Sequence, residues 1–495
     1  MRHRVQGLEF GSTTRCSRDA LPLFSRRSTA QTLSFSPSSR GTGDFVTLGE
    51  VFVSIDRHLD DSLAALQEFC RIPSISAEKR SQPEAAAFVR KLLGGLGIEA
   101  REYPTAGGPP VVYGELHVGS DRPTILLYNH YDVQPVDPLD EWTTDPFDPV
   151  LRDGKLYARG SGDTKGNIVA QVAAVKSFLE VRGGPPCNVK FVIEGEEEVG
   201  SPHFRSFVEA NRDLLKADGA TIEGGEHSMR GVPKIEFGCK GTLYVELKCR
   251  SAAVDQHSMW APILPNAAWR LIAALNTLRD AQGKVLIPGW TATAMRPTKE
   301  HLRYLKKAEF REKELLRAWG IRVPLVKKSG TDLLQHALFS PTCTICGFAS
   351  GYQGPGTKTV NPSLASVKLD FRVLPGMRTA DQLKKLKRHL RARGFGDIEV
   401  TFHDALEASA TPYETRIAQA CIGAAQDVYG RPPDVWPWSL GASATGFFND
   451  IVGVPSISGP RVSYEASGYH APNEHIRIED FRNGSKYVAA LLARF

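Results

Sequence analysis

Five short stretches of this chain place acidic or imidazole side chains directly beside apolar, strand-like runs. His130 and Asp132 follow Thr124-Ile-Leu-Leu-Tyr128, Glu197 and Glu198 follow Val189-Lys-Phe-Val-Ile193, and Glu223 follows Gly219-Ala-Thr-Ile222. Asp163 sits in Gly160-Ser-Gly-Asp-Thr-Lys-Gly166 and His470 in Gly468-Tyr-His-Ala-Pro-Asn-Glu474. Strand ends gathered along one edge of a sheet are where α/β proteins build their sites. Two imidazoles and several carboxylates meeting there suit a pair of divalent metal ions, and so a hydrolase.

The charges are consistent with that chemistry. If Asp163 bridges two dications and Glu198 and Glu223 each close one, three negative charges meet four positive ones. A shared water whose pKa the ions lower supplies the remaining negative charge as hydroxide near neutral pH. His130 and His470 add one neutral nitrogen to each ion, and Asp132 accepts the second ring N–H of His130 and fixes its tautomer. Glu197 is then spare, free to take a proton from the water and pass it to a leaving amine.

These elements must be held by an α/β framework. Ile168, Val172, Val175 and Leu179 recur at helical spacing after Asp163, so a helix with one apolar face is expected between two strands. Strand–helix–strand order implies a right-handed crossover and a largely parallel, helix-flanked sheet. The pattern begins near Val46, with a first amphipathic helix over residues 55–70. After Gly238 the style changes. A strand at Leu243–Leu247, a helix at about 266–278 with Trp269, Ile272 and Leu275 on one face, and an inward-alternating strand with Val367, Leu369, Phe371 and Val373 follow. A helix over 380–390 and a strand at 397–402 complete a βαββαβ, ferredoxin-like order. Its middle holds a charged segment, residues 298–317, read as an extra helix.

Three strings are specific: Gly162-Asp-Thr-Lys-Gly166, Glu194-Gly-Glu-Glu-Glu-Val-Gly-Ser201 and His470-Ala-Pro-Asn-Glu474. With their order along the chain, they resemble the metallopeptidase family of aminoacylase, carnosinase and other dipeptidases, acetylornithine deacetylase and succinyl-diaminopimelate desuccinylase. The likeness runs from about residue 50 to the C-terminus and is nearest to the dipeptidase branch. It implies a first ion on His130, Asp163 and Glu223, a second on Asp163, Glu198 and His470, and Glu197 as general base. It also implies a cis peptide after Asp163. Many members carry Asp where Glu223 stands here.

The resemblance further implies a catalytic domain interrupted by a lid. On this chain that divides residues 46–239 and 409–495, the catalytic parts, from an inserted lid and dimerisation domain at 240–408. Asp255-Gln-His257-Ser258 is similar to the family motif whose His crosses a dimer interface to stabilise the oxyanion, although Met259-Trp260 replaces the Gly-rich run of many members. Arg372 and Thr359 match positions that hold the substrate's carboxylate end, and Ser443 matches a substrate-contacting Ser. The implied activity is cleavage of the amide bond of dipeptides or similar small peptides with a free C-terminal carboxylate. Two ions per subunit are expected, Zn before Mn or Co, in a homodimer. The alternative is an N-acyl-amino-acid deacylase or desuccinylase with the same catalytic residues. A non-catalytic binding protein is disfavoured because the base is retained, and a serine hydrolase because no Gly-x-Ser-x-Gly elbow stands in a strand–turn–helix context.

Composition sets the outer bounds. With 41% hydrophobic and 23% charged residues in a chain of 495, two soluble globular domains are expected. A net charge of +6 argues for neither nucleic acid nor membrane, and no apolar run is long enough to span a bilayer. Eight scattered cysteines suit a reducing, cytoplasmic setting, and Cys343-Thr-Ile-Cys346 lacks the second pair of a zinc knuckle. Residues 1–45 hold seven arginines, Ser/Thr clusters and three acids. That composition resembles a transit peptide, and the segment is read as a disordered extension.

Overall fold

The long apolar strands of residues 124–130 and 188–194 form the centre of an eight-stranded sheet. A computed structural model describes residues 47–495, so the expectation for residues 1–45 lies outside the described residues. The strands run in the order Arg101–Tyr103, Val111–Leu116, Asn188–Glu194, Thr124–His130, Gly219–Ile222, Ser456–Ser458, Lys234–Glu236 and Asp434–Trp436. The middle four, from Asn188–Glu194 to Ser456–Ser458, are parallel, and the first two strands add antiparallel. Alternate side chains feed two cores. Ile125, Leu127, Val189, Phe191 and Ile193 face helices Lys165–Arg182 and Ile478–Arg494, while Leu126, Tyr128 and Val192 pack on Phe204, Phe207 and Phe448. Cover on both faces explains why these strands read as nearly unbroken apolar runs.

The second sheet has the strand order Thr344–Ser350, Leu364–Val373, Gly241–Arg250, Glu399–Leu406, antiparallel throughout, as a ferredoxin-like unit requires. Val367, Leu369, Phe371 and Val373 are buried, as their alternation indicates. All four strands lie between Gly241 and Leu406, after which the chain returns to the first sheet with Asp434–Trp436.

Local details correct several expectations. The first helix is two, Leu48–Arg57 and Leu59–Cys70, broken at His58, whose ring bonds Glu180 (2.8 Å). Helix Lys165–Arg182 is buried almost all round and not on one face, because the helices Leu48–Arg57, Leu59–Cys70 and Ile478–Arg494 also pack on it. The helix expected at about 266–278 spans Ala267–Leu275 and buries Leu271 with Ala267 and Ala274, the two small residues that let it lie close on the sheet, and leaves Trp269 exposed. The charged segment forms two short helices, Lys299–Leu305 and Glu312–Ala318, and the last lid strand begins at Glu399.

Candidate metal centre

The four parallel strands end at the same edge of the sheet, and each delivers a polar side chain there: His130, Glu197 with Glu198, Glu223, and Arg461. The loop before helix Lys165–Arg182 brings Asp163 to the same point, and the segment before strand His475–Arg477 brings His470. The two oxygens of Asp163 divide between the imidazoles. His130 Nε2 lies 3.3 Å from Oδ1 and 3.0 Å from Glu223 Oε2. His470 Nε2 lies 3.3 Å from Oδ2 and 3.0 Å from Glu198 Oε2. Two sets of one imidazole and two carboxylates therefore share a single Asp. Donor atoms of His130, Glu197 and Glu223 fall within 4.8 Å of one another, as do those of His130, Asp163 and Glu198. His130 is fully buried, whereas the side chain of His470 is 49% exposed and forms the open side.

Two further carboxylates, Asp132 and Glu474, build this arrangement. Asp132 faces His130 Nδ1 with its Oδ1 (3.2 Å) and its carbonyl oxygen (3.0 Å). The same carboxylate accepts the backbone N–H groups of Glu197 (3.2 Å) and Glu198 (3.1 Å), so one side chain orients the imidazole and anchors the acidic turn. Glu474, fully buried, accepts Gly160 N (2.9 Å), Gly162 N (2.9 Å) and Asp163 N (3.1 Å), and pairs with Arg159 (2.8 Å). It thereby ties the Asp163 loop to the His470 segment. Glu198 also accepts Gln134 Nε2 (2.9 Å) and is almost fully buried, but the side chain of Glu197 is 26% exposed. The Asp163–Thr164 peptide is cis, as the resemblance implied.

The electrostatics ask for positive charge. Burial opposes protonation of His130, yet Glu223, Asp132 and Asp163 hold its pKa well above the ordinary value. Hydrogen bonds to Asp163 and Glu198 push His470 up to about 10. Burial, then Glu223, raise the Glu197 carboxyl well above the usual range. Asp163 is held well below that range because Arg461 and the two imidazoles outweigh its burial. Two divalent cations on these donors meet the same demand, and buried Glu223 Oε2, although 3.0 Å from His130 Nε2, accepts no well-aligned hydrogen bond among the described residues. Mixed imidazole and carboxylate donors suit zinc and its neighbours.

The remaining predicted residues lie elsewhere. His257 is exposed on the two-stranded ribbon that joins Gln256–His257 to Val360–Asn361, with its ring bonded to Met259 N (3.1 Å) and near Thr359 Oγ1 (3.3 Å). Arg372 is on strand Leu364–Val373 and bonds Asp370 through Nε (3.0 Å). Ser443 pairs with Thr445 (2.6 Å) and lines a cavity of about 220 Å³ with Glu407 and Arg378. None of these side chains bonds the carboxylate–imidazole set within the chain. Sequence reasoning missed Arg461, whose Nη1 lies 3.2 Å from Asp163 Oδ1. The same strand-end rule reaches it, since Gly459-Pro-Arg461 follows strand Ser456–Ser458, but a run of three residues is too short to flag.

A family model for Peptidase family M20/M25/M40 matches residues 126–494. The chain is 29% identical over 468 residues to the Beta-Ala-His dipeptidase of Homo sapiens, covering 90% of this chain and 92% of the relative. It is 26% identical over 478 residues to a Cys-Gly metallodipeptidase of Schizosaccharomyces pombe, covering 89% and 97%. The solved structure of an M20 family metallo-carboxypeptidase from Sulfolobus solfataricus superposes with a TM-score of 0.81 at 36% identity, covering 87% of this chain and 98% of that one. The chain belongs to peptidase family M20/M25/M40, on its dipeptidase branch, and is a metallo-exopeptidase.

Proposed function

We propose that this protein hydrolyses dipeptides, or similarly small peptides with a free C-terminal carboxylate, using two divalent ions per subunit. The observation that carries the reading is the division of the Asp163 oxygens between two matched sets, His130 with Glu223 and His470 with Glu198. When bound, two such ions polarise the scissile carbonyl and acidify a water molecule. Zinc is the first choice for these donors, with manganese or cobalt as substitutes.

The chain's own residues supply the rest. Glu197, the more exposed member of the acidic pair, takes the water's proton on its carboxylate and returns it to the departing amine nitrogen. Asp132 keeps His130 in one orientation during that exchange. Arg372 has its Nε engaged by Asp370, which leaves the terminal nitrogens for the substrate carboxylate, with Thr359 and Ser443 as further contacts.

His257 serves as an oxyanion donor from a second subunit. It is exposed, it bonds no member of the metal set in its own chain, and Met259 (64%), Trp260 (48%), Ile263 (73%) and Trp269 (70%), which follow it in the chain, expose apolar surface. Apolar exposure of this kind on the inserted segment suits a homodimer through residues 240–408. The catalytic parts are then residues 46–239 and 409–495.

A second reading, carboxypeptidase action on longer peptides, is favoured by the Sulfolobus likeness. A panel of dipeptides, longer peptides and N-acyl amino acids, each assayed with zinc, manganese and cobalt, separates the readings. Highest kcat/KM on dipeptides is expected. Preference for longer peptides would indicate the carboxypeptidase, and preference for N-acyl amino acids the deacylase.

A further inference from the structure

Arg461 belongs to neither set of metal donors, yet among the described residues it is the one Arg or Lys that pairs with any of their carboxylates. Its side chain is 15% exposed. The backbone N–H of Arg461 donates to Gly225 O (3.0 Å), and its guanidinium lies 5.9 Å from the centre of the Tyr469 ring. Nη1 reaches Asp163 Oδ1 at 3.2 Å, the same oxygen that His130 faces. Oδ2 faces His470 without a second cation. The two oxygens of the shared carboxylate are therefore inequivalent.

We propose that Arg461 is a positioning residue that makes the two ion sites unequal, loosening the site of His130 and Glu223. The inference rests on the two-ion reading above. An ion held by His130 and Glu223 would share Asp163 Oδ1 with a guanidinium, which draws on the same electron density, and a fixed positive charge beside a dication would repel it. An ion on the Oδ2 side meets the same charge from farther away. Arginine also anchors the carboxylate, and losing an anchor ordinarily weakens metal binding. Here the loop is independently held, since Glu474 accepts Asp163 N at 3.1 Å and Gly162 N at 2.9 Å. Removing Arg461 frees one rotamer but removes a repulsion that acts on a doubly charged ion, so the charge effect prevails.

The test measures ion affinity one site at a time. His470→Ala leaves the His130 set and His130→Ala leaves the His470 set, with Zn²⁺ titrated against a chromophoric chelator in each background. Arg461→Met should tighten Zn²⁺ roughly tenfold at the His130 set and by much less at the His470 set. Arg461→Lys should restore the weaker value. Arg461→Gln, which is neutral but polar, should behave as Arg461→Met does and replaces it if that variant fails to fold. Loosening at the His130 set, or an equal change at both, overturns the proposal and assigns Arg461 a structural role. Wild-type protein that binds fewer than two ions removes the two-ion reading itself, a result distinct from an equal change.

Discussion

Glu197 and Glu198 are neighbours in sequence whose side chains differ in exposure, 26% against 4%, and the difference supports the proposed roles. Glu198 is buried against His470 and Gln134, whereas Glu197 retains solvent access beside the fully buried His130. A ligand needs fixed geometry, and a proton carrier needs room to turn between water and leaving group. Glu197→Gln is therefore expected to lower kcat roughly a hundred- to ten-thousand-fold while metal content, read by elemental analysis, stays at the wild-type value. A purified variant that loses an ion would exchange the two roles. The place of the run after strand-like Val189–Ile193, with the family likeness of Glu194–Ser201, made this pair legible from sequence. The contribution of Glu474 was not, because three of its four partners are backbone N–H groups, which carry no side-chain signal.

The helix Lys165–Arg182 and the loop before it are the elements on which the shared carboxylate depends. Strand ends were readable because apolar runs stop where the polar groups begin, which is why His130, Glu223 and the Glu197 turn were found. The packing of this helix was not readable, since three of the helices that enclose it come from residues 48–70 and 478–494, far away in sequence. For the same reason Trp269 was misplaced: periodicity gives a face, and only the neighbours decide which face is covered. Gly166 stands at the start of the helix, where a Cβ would fall on the carbonyl oxygen of Ser161. Gly166→Ala gains about 1 kcal/mol of helix propensity but forces the Asp163 loop to shift at a cost of about 1–3 kcal/mol. A lower Tm and weaker binding of both ions are expected, because both share Asp163. Unchanged ion affinity would show that the loop position does not depend on this contact.

At the scale of the whole molecule, the proposed function has a site for small peptides assembled at one sheet edge and completed by the inserted segment of a second subunit. The ferredoxin-like order was legible because its strands alternate strictly, but where the lid sits in an assembly is not written in one chain's periodicity. Mixing tests that assembly. His257→Ala and Glu197→Gln subunits should each be nearly inactive, and exchange between them should partly restore turnover, since a mixed dimer holds one site with intact base and donor. No recovery under demonstrated subunit exchange would place the work of His257 within its own chain or nowhere. The central claim, two ions acting together on a dipeptide bond, is tested most directly by adding Zn²⁺ stepwise to chelator-stripped protein while dipeptide hydrolysis is followed. Activity should rise until two equivalents per chain are bound and then level off. Full activity at one equivalent, or activity independent of added metal, would contradict the account.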